Sequence, residues 1–263
     1  CVDKTGTITE NVMKVSEIIA VGEEKEELEE QLGDFVFNME KDNTTMEALK
    51  NYFHMSMGRA AEKITTFSSE YKYSSAVFDG VTYILGAPEF VLREDFETYR
   101  EQIEQQSEQG YRVLVFVKYN GEVDGKVLTE KAILLGLVLL ANPIRKNAKE
   151  TFHYFAEQGV DIKVISGDNP MTVSKVALEA GIANAENYID ARQLQNEEDI
   201  EQAVRKYTVF GRVTPKQKRM FVQALKKNGK TVAMTGDGVN DVLALKDADC
   251  SIAMASGSDV ASQ

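Results

Sequence analysis

Apolar and polar positions change rhythm about halfway along the chain. In the second half, short apolar runs at Ile133–Leu140, Ile162–Ile165, Thr208–Phe210, Thr231–Met234 and Cys250–Ala253 alternate with amphipathic segments. The amphipathic segments are Lys146–Gln158, Met171–Ala180, Pro215–Lys227 and Asn240–Lys246. The runs predict strands and the segments helices. Gly159, Gly181 and Gly229 stand where three of those helices should stop. Alternation with short connections predicts a parallel sheet covered by helices, with catalytic loops at the carboxyl ends of the strands. Three polar loops fall there: Ser166-Gly167-Asp168, the segment around Gly211 and Arg212, and Thr235–Asp241.

The first half reads differently. A strand at Lys14–Val21 precedes two helices, Lys25–Met39 and Thr45–Met57, and a meander of strands at Glu62–Phe67, Tyr73–Phe78 and Val81–Leu85. Asp79-Gly80 marks the hairpin turn of that meander. A charged helix, Glu94–Gln109, and a strand, Tyr111–Tyr119, complete what reads as a separate α+β body. The expected organisation is an α/β domain formed by residues 1–14 and 129–263, with an α+β domain inserted at 15–128.

Composition narrows the function. The chain has 263 residues, 43% hydrophobic and 27% charged, which excludes disorder. Forty-two acidic against thirty basic residues give a net charge of −12, which argues against nucleic-acid binding but not against holding one nucleotide. The longest apolar run, Ala132–Ala141, is ten residues, about half of what a bilayer crossing needs. Two cysteines fit a reducing compartment.

The candidate chemistry sits in the polar loops. Asp3, just past the apolar opening and followed by the Gly-bearing turn Lys4-Thr5-Gly6-Thr7, is placed to attack phosphorus while backbone amides hold the phosphate. Taken alone, an Asp in a polar turn is more often an ordinary turn residue. Thr235-Gly236-Asp237-Gly238-Val239-Asn240-Asp241 sets three polar side chains beside two glycines before a helix, more than a helix cap needs. Asp237 fits a Mg²⁺ ligand, with Asn240 and Asp241 holding phosphate or a metal-bound water. Ser166 could donate to a phosphoryl oxygen, while Asp168 before Asn169-Pro170 also reads as a helix entrance. Lys216 and Lys218 lie in the first turns of a helix, where the macrodipole disfavours cations, and a Lys kept there points to a nearby anion, with a solvated Lys as the alternative.

Asp3-Lys4-Thr5-Gly6-Thr7 together with Thr235–Asp241 resembles the P-type ATPase family, as do Ser166–Asn169, Arg212–Lys218 and Asn142-Pro143-Ile144-Arg145, in the same order. The resemblance covers essentially the whole chain. It implies a haloacid-dehalogenase-like, Rossmann-type phosphorylation domain with an inserted nucleotide-binding domain, using ATP and Mg²⁺. It makes Asp3 the phosphorylated nucleophile and sets Lys4, Thr5, Ser166, Gly167, Asp168 and Lys218 around the phosphoryl group. It gives the metal to Asp3, Thr5, Asp237 and Asp241, and adds Asn240 and Arg145 to the nucleotide's surroundings. In the inserted domain, Phe67–Ser74 resembles the segment whose Phe stacks on adenine and whose Lys, here Lys72, approaches the nucleotide. Leu85-Gly86-Ala87-Pro88-Glu89 is similar to the family's KGAPE with Leu85 in place of Lys, which implies weak binding. Arg112 matches the nucleotide-reaching Arg, and Glu47 the acidic residue near adenine.

The same resemblance predicts what else the working protein contains. With no spanning stretch and no TGE actuator segment, the chain reads as an excised head-piece of a cation pump at the cytoplasmic face of a membrane. Its partners would be ATP and the membrane and actuator domains of the same pump. Two rivals stand beside this: a soluble phosphatase of the same superfamily and a non-catalytic nucleotide-sensing module. The phosphatase would carry a second Asp at the position of Thr5 as acid and base, and a Thr cannot accept water's proton near neutral pH.

Overall fold

Residues 1–254, apart from Glu23 and Ser69, are described in a computed structural model. The apolar run that is longest in sequence is a strand of a six-stranded antiparallel sheet. Its strands are β1 (Lys14–Ala20), β2 (Lys63–Thr65), β3 (Tyr73–Phe78), β4 (Val81–Gly86), β5 (Arg112–Tyr119) and β6 (Ala132–Ala141), in the order β1-β6-β5-β4-β3-β2. With α1 (Lys25–Asn38), α2 (Thr44–Tyr52), α3 (Pro88–Leu92) and α4 (Phe96–Glu108) it forms one compact unit, Val12–Ser107 with Tyr111–Ala141.

Both faces of this sheet are covered. Leu114 and Phe116 of β5 and Val138 and Leu140 of β6 pack with Leu32, Phe35 and Leu49 of α1 and α2. The alternate residues, Val113, Val115, Leu137 and Leu139, pack with Val91 and Ile103 of α3 and α4. A strand buried on both sides needs no polar alternation, so its sequence is a continuous apolar run. That signature groups Ile133–Leu140 with the parallel strands in sequence, and the turn-rich residues 120–125 set the expected end of the insertion at 128. The structure instead pairs β6 antiparallel with β1 and β5, and the α/β unit resumes at Asn142. Asp79 and Gly80 both have positive φ, 50° and 74°, as a two-residue hairpin requires.

The other unit holds Cys1–Asn11, Glu108–Gly110 and the chain from Asn142. Its strands β7 (Val164–Ile165), β8 (Tyr188–Asp190), β9 (Val209–Gly211), β10 (Ala233–Gly236) and β11 (Cys250–Ala253) pair in parallel. Val2 bridges β7 on one side and β10 on the other, also in parallel, so Cys1–Asp3 is the central strand between them. The order is therefore β11-β10-Val2-β7-β9-β8.

On one side of these strands, Phe152 of α5 (Ala148–Glu157) and Val173 and Ala177 of α6 (Pro170–Glu179) pack with Val2, Val164 and Val209. Residues of α7 (Glu197–Lys206), α8 (Pro215–Lys227) and α9 (Val242–Asp247) pack with Ile165, Phe210 and Met234 in a separate cluster. Strand β8 and helix α7 have no counterpart in the sequence reading: β8 is three residues at the edge, with Tyr188 39% exposed, and leaves almost no apolar pattern. Among the described residues no helix is long and apolar enough to cross a membrane.

Candidate active site

Two chain segments bring three carboxylates together at the carboxyl ends of the central strands, and a third brings an ammonium to them. Asp3 follows the Val2 bridge, and its backbone N–H donates to the Thr235 carbonyl at 3.3 Å. Past it the chain makes a single tight turn: the Thr9 N–H donates to the Lys4 carbonyl at 3.0 Å, with Gly6 at φ 76° between them. Glycine is required there twice over. The φ is left-handed, and a Cβ would stand 1.8 Å from Asp237 Oδ2.

The Asp3 carboxylate is held at both oxygens. The Lys4 N–H donates to Oδ1 at 2.7 Å, and the Lys218 ammonium donates to Oδ2 at 2.6 Å. Lys218 also donates to Asp241 Oδ1 at 2.7 Å. It is the fourth residue of α8, whose start is fixed by Pro215 and a reciprocal Thr214–Gln217 cap. A buried ammonium near a helix N-terminus is unfavourable alone, and the two carboxylates compensate it. Burial lowers the Lys218 pKa, but Asp3 and Asp241 outweigh it and leave the ammonium raised above its ordinary value. Burial raises the Asp3 pKa above the usual carboxylate value, with Lys218 opposing. Lys216, the other first-turn cation, is exposed to solvent.

Asp241 does more than accept from Lys218. Its Oδ2 takes the N–H groups of Asp237 and Gly238, each at 3.2 Å, and so folds the 237–241 turn onto the end of β10. The carboxylates of Asp3, Asp237 and Asp241 have oxygens within 4.8 Å of one another. Both oxygens of Asp241 are committed, whereas the Asp237 carboxylate accepts no hydrogen bond among the described residues. Three carboxylates face one ammonium, so the cluster keeps an excess of negative charge that a divalent cation with oxygen preference would neutralise.

The remaining site residues fall in distinct places. Lys4 and Asp168 pair with each other at 2.6 Å. Ser166 is buried, and its hydroxyl accepts from the Asp168 N–H at 3.2 Å. Gly167 is exposed beside it, Thr5 lies half-buried in the Lys4–Thr9 turn, and Asn240 is exposed in the turn before α9. Arg145, which the family resemblance sets near the nucleotide, donates to the carbonyls of Gly6 at 2.6 Å and Thr7 at 3.0 Å. It fastens the loop that carries Asp3. Two residues escaped the sequence reading: Thr7, whose buried hydroxyl has no hydrogen-bond partner among the described residues, and Asn11, whose side-chain oxygen lies beside Gly6. Their position in the segment just after Asp3 is the signal that could have found them.

In the antiparallel unit, Phe67, Lys72, Gly86 and Arg112 line one pocket of about 300 Å³, with Leu85 and Glu89. Gly86 is needed for closeness, since a Cβ there would lie 2.6 Å from the Lys72 carbonyl. Glu47 does not line it. Its carboxylate pairs with Lys41 at 2.7 Å, and Asn43, Thr45 and Met46 reach the pocket in its stead. The helix turns Thr45 and Met46 inward and Glu47 outward, one position from the register assumed in sequence.

Comparison with known proteins agrees with this architecture. The family model for haloacid dehalogenase-like hydrolases matches residues 1–249. The "Probable cation-transporting ATPase exp7" of Streptococcus pneumoniae is 39% identical over 262 residues, covering 98% of this chain and 33% of its own length. The "Calcium-transporting ATPase CtpE" of Mycobacterium tuberculosis is 40% identical over 262 residues, covering 98% and 32%. The chain thus spans about a third of the length of these curated relatives. A zinc-transporting PIB-type ATPase in its E2.Pi state superposes with a TM-score of 0.71 at 22% identity, over 99% of this chain and 36% of that one. The relatives are cation-transporting ATPases, the group that the motifs around Asp3 and Asp237 resemble. The chain belongs to the haloacid dehalogenase-like hydrolase family.

Proposed function

We propose that this chain is the catalytic head-piece of a P-type cation pump, in which Asp3 takes the γ-phosphate of ATP to form an aspartyl phosphate. The observation that carries the reading is the contact of buried Lys218 with Asp3, beside the uncommitted carboxylate of Asp237. One Asp3 oxygen attacks the γ-phosphorus. The bond from that phosphorus to the β–γ bridging oxygen breaks, and ADP leaves with the electron pair. Lys218 offsets charge on the acceptor, and Arg145 holds the loop that aims it.

The donor set is all oxygen and carries excess negative charge, which fits Mg²⁺. Asp237, Asp3 and Asp241 would hold it, with Asp241 also shaping the turn that carries Asp237. The metal supplies charge neutralisation on the transferring phosphoryl group. The pocket lined by Phe67, Lys72, Gly86 and Arg112 holds the adenine nucleotide, weakly, on the order of 0.1–1 mM. Ion selectivity and the cytoplasmic placement of the head belong to the longer pump, together with its membrane and actuator parts.

A soluble phosphatase is the second reading, and Thr5 speaks against it because it offers no base to activate water. Phosphate release from MgATP by the 263-residue chain separates the two. A head-piece turns over far more slowly than a typical enzyme's ~10 per second. Sustained release near that rate restores the phosphatase.

A further inference from the structure

The pocket of the antiparallel unit is divided by charge. Its floor is buried and neutral: Leu85 is 3% exposed and lies directly across from Ser74 in the β3–β4 pairing. Met46, Ile103 and Val113, all buried, complete it. Its charged lining residues, Lys72, Arg112 and Glu89, are all solvent-exposed. Two cations and one acid leave a single positive charge at the rim, on a chain whose net charge is −12.

We propose that this pocket recognises the nucleoside end of its ligand and is nearly indifferent to the number of phosphates, with Leu85 as the residue that makes it so. The inference rests on the pocket's reading as a nucleotide site. A base entering the floor loses water from its faces against Leu85, Met46 and Phe67, and that gain is the same for adenosine and for ATP. Phosphates stay at the rim in high dielectric, where an exposed charge contact changes affinity by no more than about fivefold and salt weakens it further. A cation at position 85 would reverse the balance. Its ammonium would be buried without a partner until an anion reached it, so phosphates would then dominate binding. With Leu85, ADP and AMP compete with ATP on nearly equal terms, and selection of the triphosphate is left to the transfer step.

The test is calorimetric titration of the 263-residue chain with adenosine, AMP, ADP and ATP in EDTA, at low and high salt. The four dissociation constants are expected to agree within about fivefold, with little salt dependence. ATP binding more than about thirtyfold tighter than adenosine overturns the inference, because exposed rim contacts cannot supply that ratio. Failure of all four to bind overturns the nucleotide reading itself. Leu85→Lys is expected to raise the ATP-to-adenosine affinity ratio about tenfold or more, and an unchanged ratio in a folded variant removes Leu85 as the determinant. Should that variant not fold, Arg112→Gln decides. A loss of ATP affinity below about fivefold is expected, and a loss near a hundredfold contradicts a neutral-floor mode.

Discussion

The Lys218 ammonium donates to Asp3 and Asp241 at once, at 2.6 Å and 2.7 Å, and so ties the segment just after Val2 to the turn that follows β10. Two carboxylates this close would repel without it, and one would take up a proton. Lys218→Met removes the cation and keeps the hydrophobic stem. Phosphorylation is expected to fall by at least about a hundredfold. Chemical denaturation of the chain should show a stability loss on the order of 3 kcal/mol, because two buried acids lose their counter-charge. Unchanged stability would mean that the ion pair contributes little to the folded state.

Asp237 has a different part. Its carboxylate accepts no hydrogen bond among the described residues, so Asp237→Ala removes none. The variant should retain its fold and bind nucleotide within about twofold of the parent, since the pocket residues lie elsewhere in the chain. Mg²⁺-dependent phosphoryl transfer should fall by more than about a hundredfold. Calorimetry with ATP and a labelling time course measure the two quantities separately.

Gly6→Ala tests the packing of the same corner. The added methyl group meets Asp237 Oδ2, and the residue must hold a left-handed φ of 76°. Strain of about 1–3 kcal/mol is expected, relieved by swinging Asp237 or the turn away. The Mg²⁺ concentration for half-maximal phosphorylation should rise. A variant with the parent's Mg²⁺ dependence would show that Asp237 does not meet the metal.

In the antiparallel unit a buried carboxylate has a structural task. Asp34 accepts the Ser56 hydroxyl at 2.6 Å and pairs with Arg59, whose guanidinium also stands 5.3 Å from the centre of the Phe78 ring. Burial raises the Asp34 pKa, but the Ser56 and Arg59 contacts outweigh it and leave it below its ordinary value. A depressed folded-state pKa means that the unfolded chain takes up the proton first. The contribution to stability is therefore full above about pH 4 and disappears as pH falls through the lower folded value. Asp34→Asn should cost about 1–3 kcal/mol at neutral pH and flatten the acid limb of a stability–pH curve. An acid limb that is the same in both proteins would assign it to other carboxylates.

What could be read in sequence, and what could not, follows the range of the interactions involved. Strands β3 and β11 and helix α8 are bounded by local signals, a hairpin turn, a short apolar run and a Pro with its cap, and the sequence places them residue for residue. Asp3, Lys218 and Asp237 stand out because their neighbours are wrong for a bland role: a cation in a first helical turn, and glycines in excess of a cap. The partner of β6 was not legible, since burial on two faces looks the same in either kind of sheet. The bracing contact of Arg145 was not legible either, because a guanidinium near a phosphate site and one bracing a loop share the same sequence context. Glu47 shows the limit of register: one helical position separates a pocket wall from the solvent side.

The proposed chemistry stands or falls on Asp3. The most direct measurement is labelling of the proposed pump with γ-labelled ATP and Mg²⁺, followed by acid quench, with Asp3→Asn in parallel. The expected result is an acid-stable, hydroxylamine-labile phosphate in the parent and none in the variant, which keeps the shape of Asp3 but loses the nucleophile. Labelling that persists in Asp3→Asn, or a parent that never acquires a hydroxylamine-labile phosphate, would contradict it.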